Sequence, residues 1–234
     1  VKKTYRTLID RVRWITGVAC RVVQDLAGSL LGGITELEHY LPIVERIIQQ
    51  AERRVLEGVM LPAGEKVYSL FEEHTELIKR GKAGKPIEFG HKILVAQNGE
   101  KYITHYETLP QRKEDKELLK GTLEAHKNLF GEMPRVLAAD RGFYEDRQQR
   151  KKLADEIETV SMAVKGKRTE EEKAWESSEE FKEGQRFRAG SEGSISVLKR
   201  AYKLGKCLFK GFKNFAVSVG CAVFCHNLVL LTRL

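Results

Sequence analysis

The chain has 234 residues, 41% of them hydrophobic, enough for one substantial core. Its formal net charge of +8 favours a polyanionic partner, and the spread of basic residues along the whole chain fits nucleic acid better than a membrane surface. The four cysteines, Cys20, Cys207, Cys221 and Cys225, make no disulfide framework and nothing resembles a signal peptide, so a cytoplasmic location is expected.

Residues 1–60 read as helical. Tyr5, Leu8, Ile9, Val12, Ile15 and Val18 form an apolar stripe at helical spacing, with Arg6, Arg11 and Arg13 between them. A second helix is predicted over residues 35–59, kinked or restarted at Pro42, with Ile43, Ile47, Ile48, Ala51 and Val55 inward. The basic face between the stripes reads first as a solvated face, with DNA contact as the alternative. Pro62 and Gly64 break the helical region, and residues 67–71 are expected to be extended. Residues 79–86 form a basic, glycine-rich connector that includes Lys82 and Lys85. Its glycines let backbone approach a phosphate and its lysines neutralise several; a solvated linker is the competing reading.

Residues 91–97 and 101–107 are strand-like runs around Asn98-Gly99, a strong hairpin signal. His91, His105 and His126 lack metal-like spacing and read as structural or surface histidines. Residues 111–130 form an amphipathic helix with Leu118, Leu119, Thr122, Leu123 and His126 at helical offsets. A short buried strand, residues 135–140, ends in Asp140 and a tight turn. A helix over residues 145–157 and a strand over 159–164 follow. The order implies a mixed sheet with helices on its faces. Residues 166–187 are polar, with no clear core face.

The stretch from Arg188 to Lys199, read as a helix, carries Arg188 four residues before Glu192 and Lys199 seven after it, all on one face. Ile195, Leu198 and Tyr202 share a different, apolar face. Alone, this is an exposed helix with i, i+4 charge pairs. Residues 212–234 are the most apolar part and read as a buried packing helix, since His226 and Asn227 interrupt a membrane span. Cys221, Cys225 and His226, with Cys207, offer no convincing zinc site; buried cysteines behave as small apolar residues.

Asp140 at a strand end and Glu192 on a later helix together resemble the insertion-sequence transposases of the Asp-Asp-Glu (DDE) class. One large group of these carries Tyr, two residues, Arg, three residues, Glu, six residues, Lys. Arg188, Glu192 and Lys199 fit that spacing, while Gln185 stands at the Tyr position. The resemblance covers most of the chain from the Lys82–Lys92 stretch onward. It implies an α/β (α+β mixed) fold, a ribonuclease H-like mixed sheet flanked by helices with its first strand missing, after an N-terminal helical segment. It also implies metal-dependent DNA cleavage and strand transfer with Mg²⁺ or Mn²⁺. Asp140 would be the second acid and Glu192 the third, both metal ligands. Arg188 and Lys199, with Lys82 and Lys85 of the connector, would contact DNA. The first aspartate is expected before residue 1, so the chain is expected to be N-terminally truncated and inactive alone. The alternative is a decayed or reused remnant that is at most a basic DNA-binding module. Expected partners are DNA, both element ends and target, and a second copy in a transposition complex, with no membrane. The expected segments are 1–60 helical, 61–90 connector, 91–165 core, 166–187 variable, and 188–234 catalytic and apolar helices.

Overall fold

A computed structural model describes residues 1–26, 32–79, 87–111 and 113–233. Their contacts divide the chain into two compact units, Val1–Gly90 and His91–Leu234. The described structure is mixed α/β, with helices predominating and strands paired two by two.

In the first unit, α1 (Lys2–Asp25) packs on α2 (Gly32–Ala51). Of the predicted α1 stripe only Ile9 is buried, while Ile43 and Ile48 are buried on α2. A cavity of about 220 Å³ lies between the two stripes, bordered by Leu8, Val12, Ile47 and Leu70. The second helix passes through Pro42 without a restart. It ends earlier than expected, in a π-helical turn over Glu52–Leu56, with Gly58 in the left-handed region at φ 80°. Arg13 Nη2 pairs with Glu52 Oε2 at 2.7 Å and fixes that turn against α1. Residues 67–71 form no strand. The Gln50 side chain accepts from the Val67 N–H at 2.8 Å and donates to its carbonyl at 3.3 Å, which pins the stretch to the end of α2. The strands of this unit are instead β1 (Glu76–Lys79) and β2 (Ile87–Gly90), an antiparallel pair. Lys82 and Lys85, between them, lie outside the described residues.

The second unit begins with an antiparallel hairpin, β3 (Ile93–Gln97) and β4 (Ile103–Thr108). Its turn differs from a two-residue Asn-Gly loop. Asn98 Oδ1 accepts from the N–H groups of Glu100 and Tyr102, and the residue at positive φ is Lys101, at 70°. The longer loop moves the register at Gln97, which faces Ile103. Helix α3 (Asp115–Phe130) opens on a Glu114–Glu117 capping box and closes on Gly131 at φ 83°. Strand β5 (Val136–Ala139), helix α4 (Arg147–Glu156) and strand β6 (Thr159–Met162) form a parallel unit. The charge-rich segment is helical: α5 (Glu170–Ser177) has a Thr169–Glu172 capping box, and α6 (Glu179–Arg200) begins at Ser178, whose Oγ accepts from the Phe181 N–H. Helix α7 (Phe212–Leu231) closes the unit.

The sequence predicted one mixed sheet. Among the described residues, β3–β4 and β5–β6 are separate pairs, with no strand hydrogen-bonded between them. Helices hold them together. One core cluster joins Leu119 and Leu123 of α3 to Ala139, Val160 and Met162 of the parallel pair. Another joins Ile103 of the hairpin to Leu198 of α6 and Val219, Ala222 and Val223 of α7. Phe143 packs against the first of these and also against Leu94, Leu109 and Leu118.

Helix α6 comes close to strand β6 at Gly184. A Cβ built there lies 2.4 Å from Ser161 Cβ and 3.8 Å from Ala138 Cβ. Ser161 Oγ donates to the Phe181 carbonyl at 2.8 Å, and Gln185 Nε2 donates to the Ser161 carbonyl at 2.7 Å. Gly184→Ala should therefore destabilise the protein by about 1–3 kcal/mol through overpacking, although alanine gains roughly 1 kcal/mol in helix propensity over glycine. Urea unfolding would measure the difference; a more stable variant would contradict it.

Glu172 ties α5 to α4. It accepts from Arg147 at 2.7 and 3.1 Å and from the Thr169 N–H at 2.8 Å. Those donors, Arg147 first, hold its pKa down to about 2 from the ordinary 4.5. A depressed folded pKa contributes stability that is fully present above about pH 4.5 and disappears as the pH falls through 2. Glu172→Gln should thus lower Tm at pH 7 and much less at pH 2; an equal shift at both would remove the ion pair as the cause.

Candidate functional site: a strand-end carboxylate facing helix α6

The strand Val136-Leu137-Ala138-Ala139, exposed at Val136 and buried at Ala139, ends at Asp140, whose extended backbone leads into a 3₁₀ turn over Arg141–Phe143. Ala139 is buried and Phe143 packs inward, so the carboxylate between them is carried to the rim of the parallel pair. Helix α6 passes the same rim. With Gly184 seated on Ser161, Arg188 lies one turn further along the same face, and its Nη1 reaches Asp140 Oδ1 at 2.5 Å. Glu192, a further turn on, places Oε1 3.9 Å from the same Nη1. One guanidinium thus stands between the two carboxylates.

The three groups differ in exposure. The Asp140 and Glu192 side chains are 62% and 73% exposed, whereas Arg188 is 25% exposed. Arg188 Nε is buried and has no hydrogen-bond partner. The Arg188 charge is therefore committed to Asp140 and only partly open to a ligand. Lys199 is exposed in the last turn of α6, and among the described residues its side chain makes no ion pair or hydrogen bond. It is available to an anion. Gln185, at the Tyr position of the sequence pattern, faces the strands, donating to both the carbonyl and the Oγ of Ser161.

Two further charged residues lie near this rim that sequence reasoning did not single out. Asp115, at the start of α3, pairs with Lys92 and lies against Gly142, where a built Cβ would sit 2.4 Å from its Oδ2. Lys165 Nζ donates to the Gly142 carbonyl at 3.3 Å. The glycine in Asp140-Arg141-Gly142 was the one signal available, since a close approach there admits no side chain.

Among the described residues no group of three or more His, Cys, Asp or Glu side chains converges to hold a metal ion. Two exposed carboxylates suit one hard, oxygen-preferring cation that keeps several waters, and they do not suffice for a bridged pair of ions. The C-terminal cysteines do not gather a site: Cys221 and Cys225 are exposed, while His226 is buried with Nε2 3.2 Å from the Lys101 carbonyl. His91 lies against the rings of Phe212 and Phe215, and burial lowers the pKa of His126.

Comparison of the chain with protein-family models, with curated proteins and with solved structures returns no match.

The geometry sets a competition. A cation that engages Asp140 must displace or share the carboxylate with Arg188. Arg188→Met should tighten Mn²⁺ binding a few-fold in calorimetric titration; unchanged affinity would place the ion elsewhere.

Proposed function

We propose that this chain carries the catalytic rim of an Asp-Asp-Glu-class transposase, acting on DNA phosphodiesters, with Asp140 and Glu192 as the second and third acids. The observation that carries this reading is the Arg188 bridge. Residues far apart in sequence but spaced as in the transposase signature meet at the end of a β-strand. The order of hairpin, helix, strand, helix, strand, helix supports a ribonuclease H-like arrangement. So does the division into an antiparallel and a parallel pair, which is the pattern a mixed sheet leaves when its central strand is not among the described residues.

On this reading Asp140 and Glu192 hold a divalent cation, Mg²⁺ or Mn²⁺, which when bound would polarise a phosphodiester oxygen. Arg188 Nη1 stands between the two carboxylates, 2.5 Å from Asp140 and 3.9 Å from Glu192. Lys199 supplies an uncommitted charge to a backbone phosphate. Lys82 and Lys85 belong to the basic connector of the sequence, and the +8 net charge favours DNA at long range. The family's reaction needs two ions fixed by three acids. With two carboxylates at the rim, ion placement is under-determined, and an error of about 1 Å costs roughly a hundredfold in rate. The chain by itself therefore binds DNA and does not cut it.

The second reading, a DNA-binding remnant without catalysis, is favoured by one observation, the neutralisation of Asp140 by Arg188. The two readings separate on metal binding. For the catalytic reading, Mn²⁺ binding is lost in the Asp140→Asn, Glu192→Gln double variant; the remnant shows no difference between wild type and variant. DNA binding should show little sequence preference, and Lys199→Ala should reduce the salt slope by about one with an unchanged Tm. A large fall in Tm with an unaltered slope would return Lys199 to the fold. Supercoiled plasmid should remain intact with Mg²⁺. Nicking that vanishes in Glu192→Gln would reveal a third acid within this chain.

A further inference from the structure

Arg147, Arg150, Lys151 and Ala154 of α4 fall at i, i+3, i+4 and i+7, the spacing with which a helix ordinarily lays an apolar stripe on its neighbours. Here three of the four positions are cationic, and no residue of α4 is buried. These side chains border a cavity of about 400 Å³, closed on its other sides by Val160 of β6 and by Glu172 and Trp175 of α5. The Trp175 ring is fixed in place. Its Nε1 donates to the Val160 carbonyl at 3.3 Å, and Phe181 meets it edge-on with centroids 6.3 Å apart. It is still only half-buried. Arg147 is committed, to both Glu172 carboxylate oxygens and to the Lys167 carbonyl. Among the described residues the side chains of Arg150 and Lys151 make no ion pair or hydrogen bond, and neither does Glu158, which also borders the cavity.

We infer that this cleft binds a free nucleoside phosphate, with its base beside Trp175, its phosphate on Arg150 and Lys151, and its sugar hydroxyls donating to Glu158. The volume falls within the roughly 300–1,000 Å³ of small-molecule sites and is more than a lone phosphate fills. The held, half-open indole offers a flat apolar surface to an aromatic ring. Two uncommitted cations at neighbouring positions of α4 supply charge-assisted bonds to one or two phosphoryl groups. An ionised Glu158 repels phosphate and accepts from hydroxyl groups, so it selects a ligand that is anionic at one end and hydroxylic at the other. The Arg147–Glu172 pair holds α5 to α4, which forms the cleft before any ligand enters. The cleft is separate from the carboxylate rim. Glu158 and Val160 stand at the amino end of β6, whereas Asp140 follows the carboxyl end of β5, which runs parallel to β6. The inference therefore stands without the DNA reading.

The chain has two tryptophans, and Trp14 is exposed, so Trp14→Phe leaves Trp175 as the only indole without disturbing the second unit. Titration of that full-length variant with AMP, excited beyond the nucleotide's absorption band, should quench the fluorescence saturably with a Kd on the order of 100 μM. Adenosine and inorganic phosphate should each bind at least about tenfold more weakly. So should 2′,3′-dideoxy-AMP, and Glu158→Ala should erase that difference. Ala154→Leu, which fills the cleft and keeps its charges, and the Arg150→Ala, Lys151→Ala pair, which keeps its shape, should each weaken AMP at least about tenfold with unchanged circular dichroism. Lys120→Ala, an exposed lysine on α3, should leave it unaltered. Absence of saturable quenching would overturn the proposal. So would equal affinity for phosphate and AMP, or AMP binding indifferent to both cleft variants. An oligonucleotide that quenches Trp175 and is not displaced by AMP would assign the cleft to a nucleic-acid strand and overturn it as well.

Discussion

The contact of α6 with the parallel strands at Gly184 is the constraint on which the rim depends. A side chain there would overlap Ser161, so only glycine lets the helix axis come this close. Three hydrogen bonds then fix the helix along its length and around its axis: Ser161 Oγ to the Phe181 carbonyl, and Gln185 to the Ser161 carbonyl and Oγ. From Gly184 to Arg188 the helix advances about 6 Å. From Ala138, beside Gly184, to Asp140 the strand advances roughly 6.6 Å. The two steps match, so the helix delivers its arginine to the end of the strand where the aspartate stands.

The same helix serves two cores. Its N-terminal half, with Phe181 and Gly184 buried, lies on the parallel pair, while Leu198 near its C-terminus packs with Ile103, Val219 and Val223. The rim lies between these anchorages, at Arg188 and Glu192. A displacement of either anchorage would move Glu192 relative to Asp140 without touching either residue. Helix α7 contributes to one anchorage only through one face. Its other face, with Val217 and Phe224, is exposed.

Local pattern carried much of the element structure. The Leu118–Leu119–Leu123 spacing specified the buried face of α3, and those three residues are its buried ones. The Arg188–Glu192 offset specified a shared helix face, because the i, i+4 geometry of an α-helix needs no tertiary information. Elsewhere local pattern was insufficient. Residues 67–71 look extended, but Gln50, seventeen residues earlier, takes both backbone groups of Val67. Residues 166–187 show no core face because α5 and the first turns of α6 are held by caps and by Glu172 and Glu176, through bonds to Arg147, Arg168 and the Val164 N–H, more than by an apolar stripe. The α7 pattern announced an apolar helix and not which side was covered; four buried residues on one face and five exposed on the other emerge only once the hairpin is in place.

The sequence alone determined the helix that carries Glu192, the strand that ends at Asp140, and the basic net charge, since periodicity, turn chemistry and charge are local or additive properties. The tertiary structure decided three things. The strands pair two by two, Arg188 is committed to Asp140, and Gln185 is turned onto Ser161. The last two depend on surfaces that meet across tens of residues, and that meeting is set by how closely α6 can approach β6, a distance governed by the absence of one Cβ at Gly184.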